Sequence, residues 1–178
     1  SIQSERRLAR DAHGIDLVIG AKGSPLQLVM SAVFQADMPT GNIPFETVDA
    51  LRRDPRVTEA VPIGLGDAAA GYRIVGADSG FVTLHDARLA EGRMYADPME
   101  AVLGADTARA LGLGVGDTFH GGHGLTAGGE THKEDYRVVG VLARTGNVID
   151  RTIITSMESV WAVHGIADRH YCSRMGIN

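Results

Sequence analysis

The chain of 178 residues contains a single cysteine, Cys172, so it cannot form an intramolecular disulfide. Aromatic residues make up 5% of the sequence, too few for a row of rings on which nucleic-acid bases would stack. No stretch approaches the roughly 20 apolar residues needed to cross a bilayer, and no signal peptide is visible. The formal net charge is −5 and no run of Lys and Arg occurs, which argues against nucleic acid or an anionic membrane surface as the main partner.

The remaining composition is that of an ordinary folded domain. Hydrophobic residues make up 44% and charged residues 22% of the chain. A chain of this length is expected to form one compact domain or two small lobes. Because the sequence begins at Ser1 inside a polar segment and without Met, we interpret it as part of a longer protein.

Hydrophobic spacing divides the chain into short helices and short strands. Apolar residues at helical spacing predict helices at residues 3–13, 45–54, 108–111 and 157–163. Apolar runs and alternation predict strands at residues 15–19, 72–75, 81–84, 101–103, 135–142 and 152–155, with another opening at Thr118. We expect links, turns or loops at residues 66–71, 89–93 and 121–131.

Two segments are harder to assign. Residues 26–34 fit a strand and also a helical face, and their even apolar spacing favours extended structure. Residues 57–65 are apolar but contain Pro62, which predicts an edge strand or a bent strand.

The run from Val102 to Phe119 is the most informative part of the sequence. Asp106-Thr107 predicts a helix cap, and Gly112 provides the left-handed residue that ends a helix. The glycines of residues 113–117 then turn the chain towards the strand at Thr118. Since this run holds neither a nucleophile nor a phosphate-binding loop, it indicates an architecture rather than a catalytic site.

Three blocks, in this order, resemble a known family. They are residues 16–29 (DLVIGAKGSPLQLV), residues 103–117 (LGADTARALGLGVGD), and residues 136–142 (YRVVGVL) followed by residues 150–156 (DRTIITS). Together they resemble the extracytoplasmic domain of ABC transporter permeases of the MacB/FtsX type, which includes lipoprotein-release and macrolide-export permeases. The resemblance covers roughly residues 1–165.

The resemblance implies an α+β fold in two lobes. Residues 1–70 and 146–178 would form a βαβ-type porter-like lobe, and residues 71–145 would form an inserted, β-rich sabre-like lobe. The first helix would continue a membrane helix of the full-length permease. In such permeases the porter-like lobe continues for several tens of residues past the helix at 157–163, so we expect this lobe to be incomplete. The tail from Ile166 to Asn178 matches nothing in the family.

The resemblance also implies a function without bond chemistry. The domain would lie in the periplasm, on the outer side of the inner membrane, and the full-length permease would act as a dimer with a cytoplasmic ATPase. It would transmit ATP-driven motion to an extracytoplasmic substrate or partner protein. We expect the partner to contact the glycine-rich tip of the sabre-like lobe, at Gly121, Gly122, Gly124, Leu125, Gly128 and Gly129.

Three of the seven histidines favour an alternative, a periplasmic zinc-binding module. His120 and His123 are separated by two glycines, which allow both imidazoles to face one ion, and His132 would return across a hairpin. Three histidines with a carboxylate or water suit Zn²⁺. The spacing is not a standard zinc signature, and the competing interpretation is a solvated loop. Apart from this ion we expect no cofactor.

Enzymatic function is the weakest hypothesis. The segment from Gly20 to Ser24 lacks the Gly-Lys-Ser/Thr order of a phosphate-binding loop. Ser24, Ser31 and Ser156 do not lie in a Gly-x-Ser-x-Gly motif, and Ser156 is better explained as a helix cap. A small hydrolase or isomerase would need a convergent pair of titratable groups, and the sequence nominates none.

Overall fold

The computed structural model describes residues 2–65, 67–123 and 131–164, and at residues 2–4, 7, 123 and 131–134 it describes the backbone alone. The helices are α1 (Ile2–Asp11), α2 (Pro25–Ala32), α3 (Glu46–Arg53), α4 (Ser79–Leu84), α5 (Ala105–Leu111) and α6 (Met157–Val163), with a 3-10 turn at Val148–Arg151. The strands are β1 (Ile63–Gly64), β2 (Asp67–Ala69), β3 (Tyr72–Ala77), β4 (Leu89–Gly92), β5 (Glu100–Leu103), β6 (Thr118–His123), β7 (Thr131–Leu142) and β8 (Thr152–Thr155). This mixture of short helices and strands confirms the prediction of an α+β fold.

All of these strands belong to one sheet of eight strands in the order β1-β3-β2-β6-β7-β5-β8, with β4 paired to β7. The pairs β3–β8 and β5–β7 are parallel, and the others are antiparallel. Because β3 also pairs with β8, the path from β3 through β7 to β8 closes on itself. The closed path fixes each of its strands on two sides by hydrogen bonds.

Both faces of the central strands are buried. Adjacent residues, which point to opposite faces of a strand, are fully buried at Ile74 and Val75, at Val102 and Leu103, and at Ile153 and Ile154. One face packs into a cluster around Tyr136 and Val138, and the other into a cluster around Phe81 and Ile149. Burial on two faces explains why these strands are continuous apolar runs in the sequence.

The N-terminal helices are fixed to the sheet by polar contacts from a buried cation. The Arg73 side chain on β3 is 3% exposed, and it donates hydrogen bonds to the carbonyl oxygens of Gln35 (3.3 Å) and Asp37 (2.6 Å). The edge of Phe45, just before α3, also packs against Trp161 of α6 at a centroid distance of 5.5 Å. The segment that carries α2 and α3 is therefore tied to both β3 and α6.

The sequence assigned residues 26–34 wrongly, because this segment forms the helix α2. Ser24 caps it, accepting a hydrogen bond from the Gln27 amide at 3.4 Å, and proline occupies the first helical position. Cap and proline together favour a helix start. Leu26 is 71% exposed, so the even apolar spacing did not mark a buried strand face.

Other secondary-structure predictions were also wrong. Residues 81–84 were predicted as a strand, which the β-branched Val82 and Thr83 favour, but they form the end of helix α4. Asp78 caps this helix by accepting a hydrogen bond from the Gly80 amide. Residues 89–93, predicted as a turn, contain β4, and the link at 66–71 contains β2. No strand forms at residues 15–19. The apolar run at 57–65 contributes only the two residues of β1, but this strand stands at the edge of the sheet, as Pro62 predicted.

Several element predictions are confirmed. The structure has helices at the expected positions near residues 3–13, 45–54 and 157–163, and strands at 72–75, 101–103, 135–142 and 152–155. Helix α5 ends as expected at Gly112, whose φ is 65°. It begins at Ala105, however, with Gly104 as its cap, so Asp106-Thr107 lies inside the helix. Ser156 caps α6 by accepting a hydrogen bond from the Ser159 amide at 3.1 Å.

The sheet crosses both of the expected lobe boundaries. Strands β1 and β3 pair across the boundary at residue 71, and β8 pairs with β3 and β5 across the boundary at residue 146. The division into a porter-like and a sabre-like lobe stays a prediction. The tail from Ile166 to Asn178 lies outside the described residues.

Candidate functional site

The candidate site lies on strands β6 and β7, whose register begins at Thr118 opposite Arg137. Phe119 and Tyr136 come next, and their rings stack with centroids 5.3 Å apart and 10° between planes. Tyr136 is fully buried, so this pair anchors the strands in the core. Such a pair contributes about 0.5–1.5 kcal/mol beyond the area it buries.

Gly121 lies inside the sheet and not in a loop. It is buried in β6, and a Cβ atom added there would lie 3.1 Å from both Ile74 Cδ1 and Tyr136 Cε2. Glycine allows β6 to pass close to these two core side chains. The neighbouring Gly122 is also a strand residue and pairs with Ala68 and Thr131. The expectation of a loop beginning at residue 121 is therefore corrected, since β6 continues to His123.

His120 contacts a carboxylate on the neighbouring strand. It lies opposite Asp135 in the register, and its Nδ1 is 2.7 Å from Asp135 Oδ1. The register shifts between His120 and Gly122, so the pairing of β6 with β7 is irregular directly after His120. A carboxylate on Nδ1 fixes the imidazole tautomer and leaves Nε2 as the ligand nitrogen, as in many metal-bound histidines. The side chain is 62% exposed, so this nitrogen is accessible from solution.

The other predicted metal ligands are placed only through their backbones. His123 is the last residue of β6 and His132 is the second residue of β7, but their side chains lie outside the described part of the chain. Gly124, Leu125, Gly128 and Gly129 lie outside it as well. Among the described residues, no group of three or more His, Cys, Asp or Glu side chains could hold a metal ion. Zinc binding and partner binding at these positions stay predictions.

A second histidine–carboxylate pair lies beside β6, and the sequence analysis did not find it. His164, directly after α6, places Nε2 3.2 Å from Asp67 Oδ2 on β2, where the Asp67 side chain is 1% exposed. The hydrogen bond to Asp67 raises the pKa of His164, against the opposing effect of partial burial. Asp67 and His164 are distant in the sequence, and no local motif signals their contact.

Glu100, at the start of β5, is a further polar centre that the sequence did not indicate. Its carboxylate pairs with the Arg93 guanidinium and accepts hydrogen bonds from the backbone amides of Ala96 (2.9 Å) and Asp97 (3.2 Å). These donors, Arg93 first, lower the pKa of Glu100 to about 2. The carboxylate stays ionised at neutral pH and holds the segment before β5 in place.

The sequence of this domain matches a known protein family. A model of the MacB-like periplasmic core domain matches residues 11–173. The chain belongs to this family. The resemblance found in the three sequence blocks is thereby confirmed. Membership also assigns the chain to a family of transporter permeases and not to a family of enzymes.

Two solved structures are similar to the MacB-like domain described here. The periplasmic region of MacB from Actinobacillus actinomycetemcomitans is 13% identical with a TM-score of 0.49, over 68% of this chain and 58% of that one. The extracellular domain of the noncanonic ABC-type transporter YknZ from Gram-positive bacteria is 14% identical with a TM-score of 0.48, over 69% of this chain and 67% of that one. This chain thus spans just over half of the MacB region that it matches. Among curated proteins, none matches the chain.

A further question is whether the described part of this MacB-like domain crosses a membrane. Within the described residues, no helix combines the length and the apolar character that a membrane crossing requires. The family model that matches residues 11–173 describes a periplasmic core domain.

Proposed function

We propose that this domain transmits ATP-driven motion of an ABC transporter permease to an extracytoplasmic substrate or partner protein, without bond chemistry of its own. The observation that carries the proposal is the match of the MacB-like periplasmic core domain to residues 11–173. The cytoplasmic ATPase subunit and a second copy of the permease are partners that this proposal requires.

The fold supports this role through the hydrogen bonds and ring contacts that join the described strands and helices to one another. The strand path closes through β3 and β8, so each strand on it is held by two neighbours. Arg73 ties the segment after α2 to β3, and the contact between Phe45 and Trp161 ties α3 to α6. Rigid secondary elements linked by hydrogen bonds are the physical means by which displacement reaches a distant site.

The proposed partner surface belongs to the segment that links β6 to β7 in the sequence. Since Gly121 is buried, the surface that we propose consists of Gly122 and the tip residues Gly124, Leu125, Gly128 and Gly129. Deletion of residues 121–129 would remove part of β6 and its pairing with β2, so it would test the fold and the surface together. A sharper variant replaces residues 124–129 by Asn-Gly, because antiparallel strands that pair Gly122 with Thr131 need two residues between positions 123 and 130 for a favoured two-residue hairpin turn.

The experiment compares the unchanged protein with this Asn-Gly variant and with a second variant in which residues 124–129 keep their length and composition but are scrambled. The free energy of unfolding of the 178-residue chain in urea is expected to change by less than about 1 kcal/mol in both variants, because the sheet is retained. Transport by the full-length permease is expected to fall in both if the tip sequence contacts the partner. Normal transport and partner binding in the Asn-Gly variant would contradict this surface.

A second candidate function, zinc binding, is favoured by one specific observation. The 2.7 Å contact between His120 Nδ1 and Asp135 orients the imidazole as in metal sites. Titration of zinc into the chain, with His120, His123 and His132 changed to Ala together, tests it. Exposed His13 changed to Ala is the control. Tight zinc binding that is lost in the triple variant and kept in His13→Ala supports a zinc module. Equal binding by the unchanged chain, the triple variant and His13→Ala contradicts it.

A further inference from the structure

A basic cavity lies where the C-terminal end of α1 meets the sheet, away from β6 and β7. It has a volume of about 360 Å³, and its lining includes Arg10, His85, Arg88, Arg144, Thr145 and Asn147. A cavity of this size lies within the range of small-molecule sites. The proposed transporter function does not use it.

The cavity is formed by three separate parts of the chain that pack together. Gly14, after α1, lies against Leu84 at the end of α4, where an added Cβ would be 3.6 Å from Leu84 Cδ1. The Arg10 guanidinium reaches the loop after β7, 3.7 Å from the Cβ position of Gly146. Asn147 in that loop donates a hydrogen bond to the carbonyl oxygen of His85 at 3.0 Å.

The loop wall of the cavity is held in shape by a buried carboxylate. Asp150 is 1% exposed and accepts hydrogen bonds from the Thr145 amide (2.9 Å), the Thr145 hydroxyl (3.0 Å) and the Gly146 amide (2.7 Å). These bonds fix residues 145–147 before any ligand arrives. A pre-formed wall reduces the entropy that binding must overcome.

The charge of the lining contrasts with that of the chain as a whole. Three guanidinium groups line the cavity, from Arg10, Arg88 and Arg144, against the single carboxylate of Asp86, although the net charge of the chain is −5. Arg144 Nε lies 3.3 Å from Asp106, outside the cavity. Within the part of the chain that the structure describes, neither Arg10 nor Arg88 has an ion-pair partner.

A buried histidine also lines the cavity. His85 is 4% exposed and contacts the edge of Phe81 at a centroid distance of 4.7 Å. Burial lowers the pKa of His85 to about 4, so its imidazole is neutral at pH 7. It therefore adds hydrogen-bonding capacity without charge, while the arginines supply the charge.

We propose that this cavity binds a small phosphate-bearing anion through Arg10 and Arg88. Guanidinium groups pair with phosphate through two parallel N–H···O bonds, and phosphate carries nearly two negative charges at pH 7. The guanidinium groups of Arg10 and Arg88 match this charge, and the lining opposes them with the carboxylate of Asp86 alone. The bound group would join α1 to α4 and to the loop after β7.

The test uses inorganic phosphate and the 178-residue chain at constant ionic strength, which holds charge screening fixed. NMR amide shifts are expected to saturate with phosphate and to map to His85, Thr145, Gly146 and Asn147. Changing Arg10 and Arg88 to Gln together is expected to weaken binding at least tenfold, since each charge-assisted bond is strong. The control changes exposed Arg53 and Arg137 to Gln, which removes the same charge elsewhere.

A second arm identifies the source of the phosphate. Vesicles of phosphatidylglycerol that perturb the same amides in an Arg10- and Arg88-dependent manner would identify a lipid headgroup, whereas shifts with phosphate alone would identify a soluble phosphate compound. The proposal is overturned if neither probe gives saturable shifts, if both double variants weaken binding equally, or if the shifts map elsewhere. Shift mapping on the unchanged chain decides the matter even where a variant fails to fold, and it is independent of any transport assay.

Discussion

Replacement of Arg73 by Met tests how the N-terminal helices are held on the sheet. Met keeps much of the apolar length of the side chain but removes both hydrogen bonds, to the carbonyl oxygens of Gln35 and Asp37. If α2 and α3 depend on this contact, the segment around them should open locally even where the strands stay paired.

The magnitude follows from the two bonds and from what replaces them. Hydrogen bonds from a charged donor each contribute about 1.5–3 kcal/mol to folding. Asp37 is exposed, so water replaces the lost donor there, whereas Gln35 is buried and its carbonyl oxygen loses a partner. Burial lowers the pKa of Arg73, which shows a desolvation cost that Met relieves. The expected net loss is about 1.5–3 kcal/mol.

Urea unfolding and amide hydrogen exchange measure this effect. The free energy of unfolding should fall by about 1.5–3 kcal/mol, and exchange should accelerate at residues 27–38 more than in β7. Arg53→Met, at an exposed position on α3, is the matched control and should change stability by less than about 0.5 kcal/mol. The reasoning is refuted if Arg73→Met behaves like this control, or if exchange accelerates uniformly across the chain.

Three further predictions concern single contacts. Glu100→Gln should lower the free energy of unfolding, measured in urea, by about 1–3 kcal/mol at pH 7. Because the native pKa of Glu100 is about 2, the stability difference between this variant and the unchanged chain should shrink as pH falls from 4.5 towards 2. With Glu91→Gln as control, a stability difference that stays constant with pH would contradict this. Gly104→Ala should lower the melting temperature and reduce the free energy of unfolding by about 1–3 kcal/mol, because the new Cβ would lie 2.1 Å from the Ile149 carbonyl oxygen. Gly114→Ala is the control, since its Cβ meets nothing nearer than 4.0 Å, and equal melting temperatures of the two variants would refute the prediction. Ser156→Ala should cost about 0.5–2 kcal/mol in urea unfolding by removing the cap of α6, with Ser79→Ala as control, and equal values would show that the cap adds nothing.

The elements that the sequence predicted correctly are those with a local physical signal. The strand at 152–155 and the helix after Ser156 follow from a buried apolar run and a cap, both visible within a few residues. The strand at 135–142 is an apolar run, and residues of both its faces are buried at Val138, Val139 and Leu142, although Arg137 is exposed. In these places local preference and tertiary packing agree.

The failures occurred where two local signals competed or where the deciding partner was distant. At residues 26–34 apolar spacing favoured a strand, but Ser24 and Pro25 begin a helix there. Residues 89–93 look like a turn, and only their pairing with β7 makes them a strand. No sequence window contains both partners of this pairing, so local patterns could not predict it.

The candidate site shows the same limit. The sequence predicted a glycine-rich loop directly after His120, whereas β6 extends to His123. The contact between His120 and Asp135 is set by the strand register. The contact of His164 with Asp67 and the donors around Glu100 depend on tertiary structure and left no motif. Family membership could be recognised from the sequence because three separate blocks, in order, carry it.

Transmission of motion is tested most directly by distances measured in the full-length permease with its ATPase. Cys172 is replaced by Ser, and exposed Arg109 on α5 is changed to Cys and spin-labelled, which reports the distance between two copies of the domain. A second protein carries labels at Arg53 and Arg109 of one copy. A domain that moves as a rigid body predicts that ATP binding changes the distance between copies and leaves the internal distance unchanged. A constant distance between copies, or a change confined to the internal pair, would contradict the proposed function.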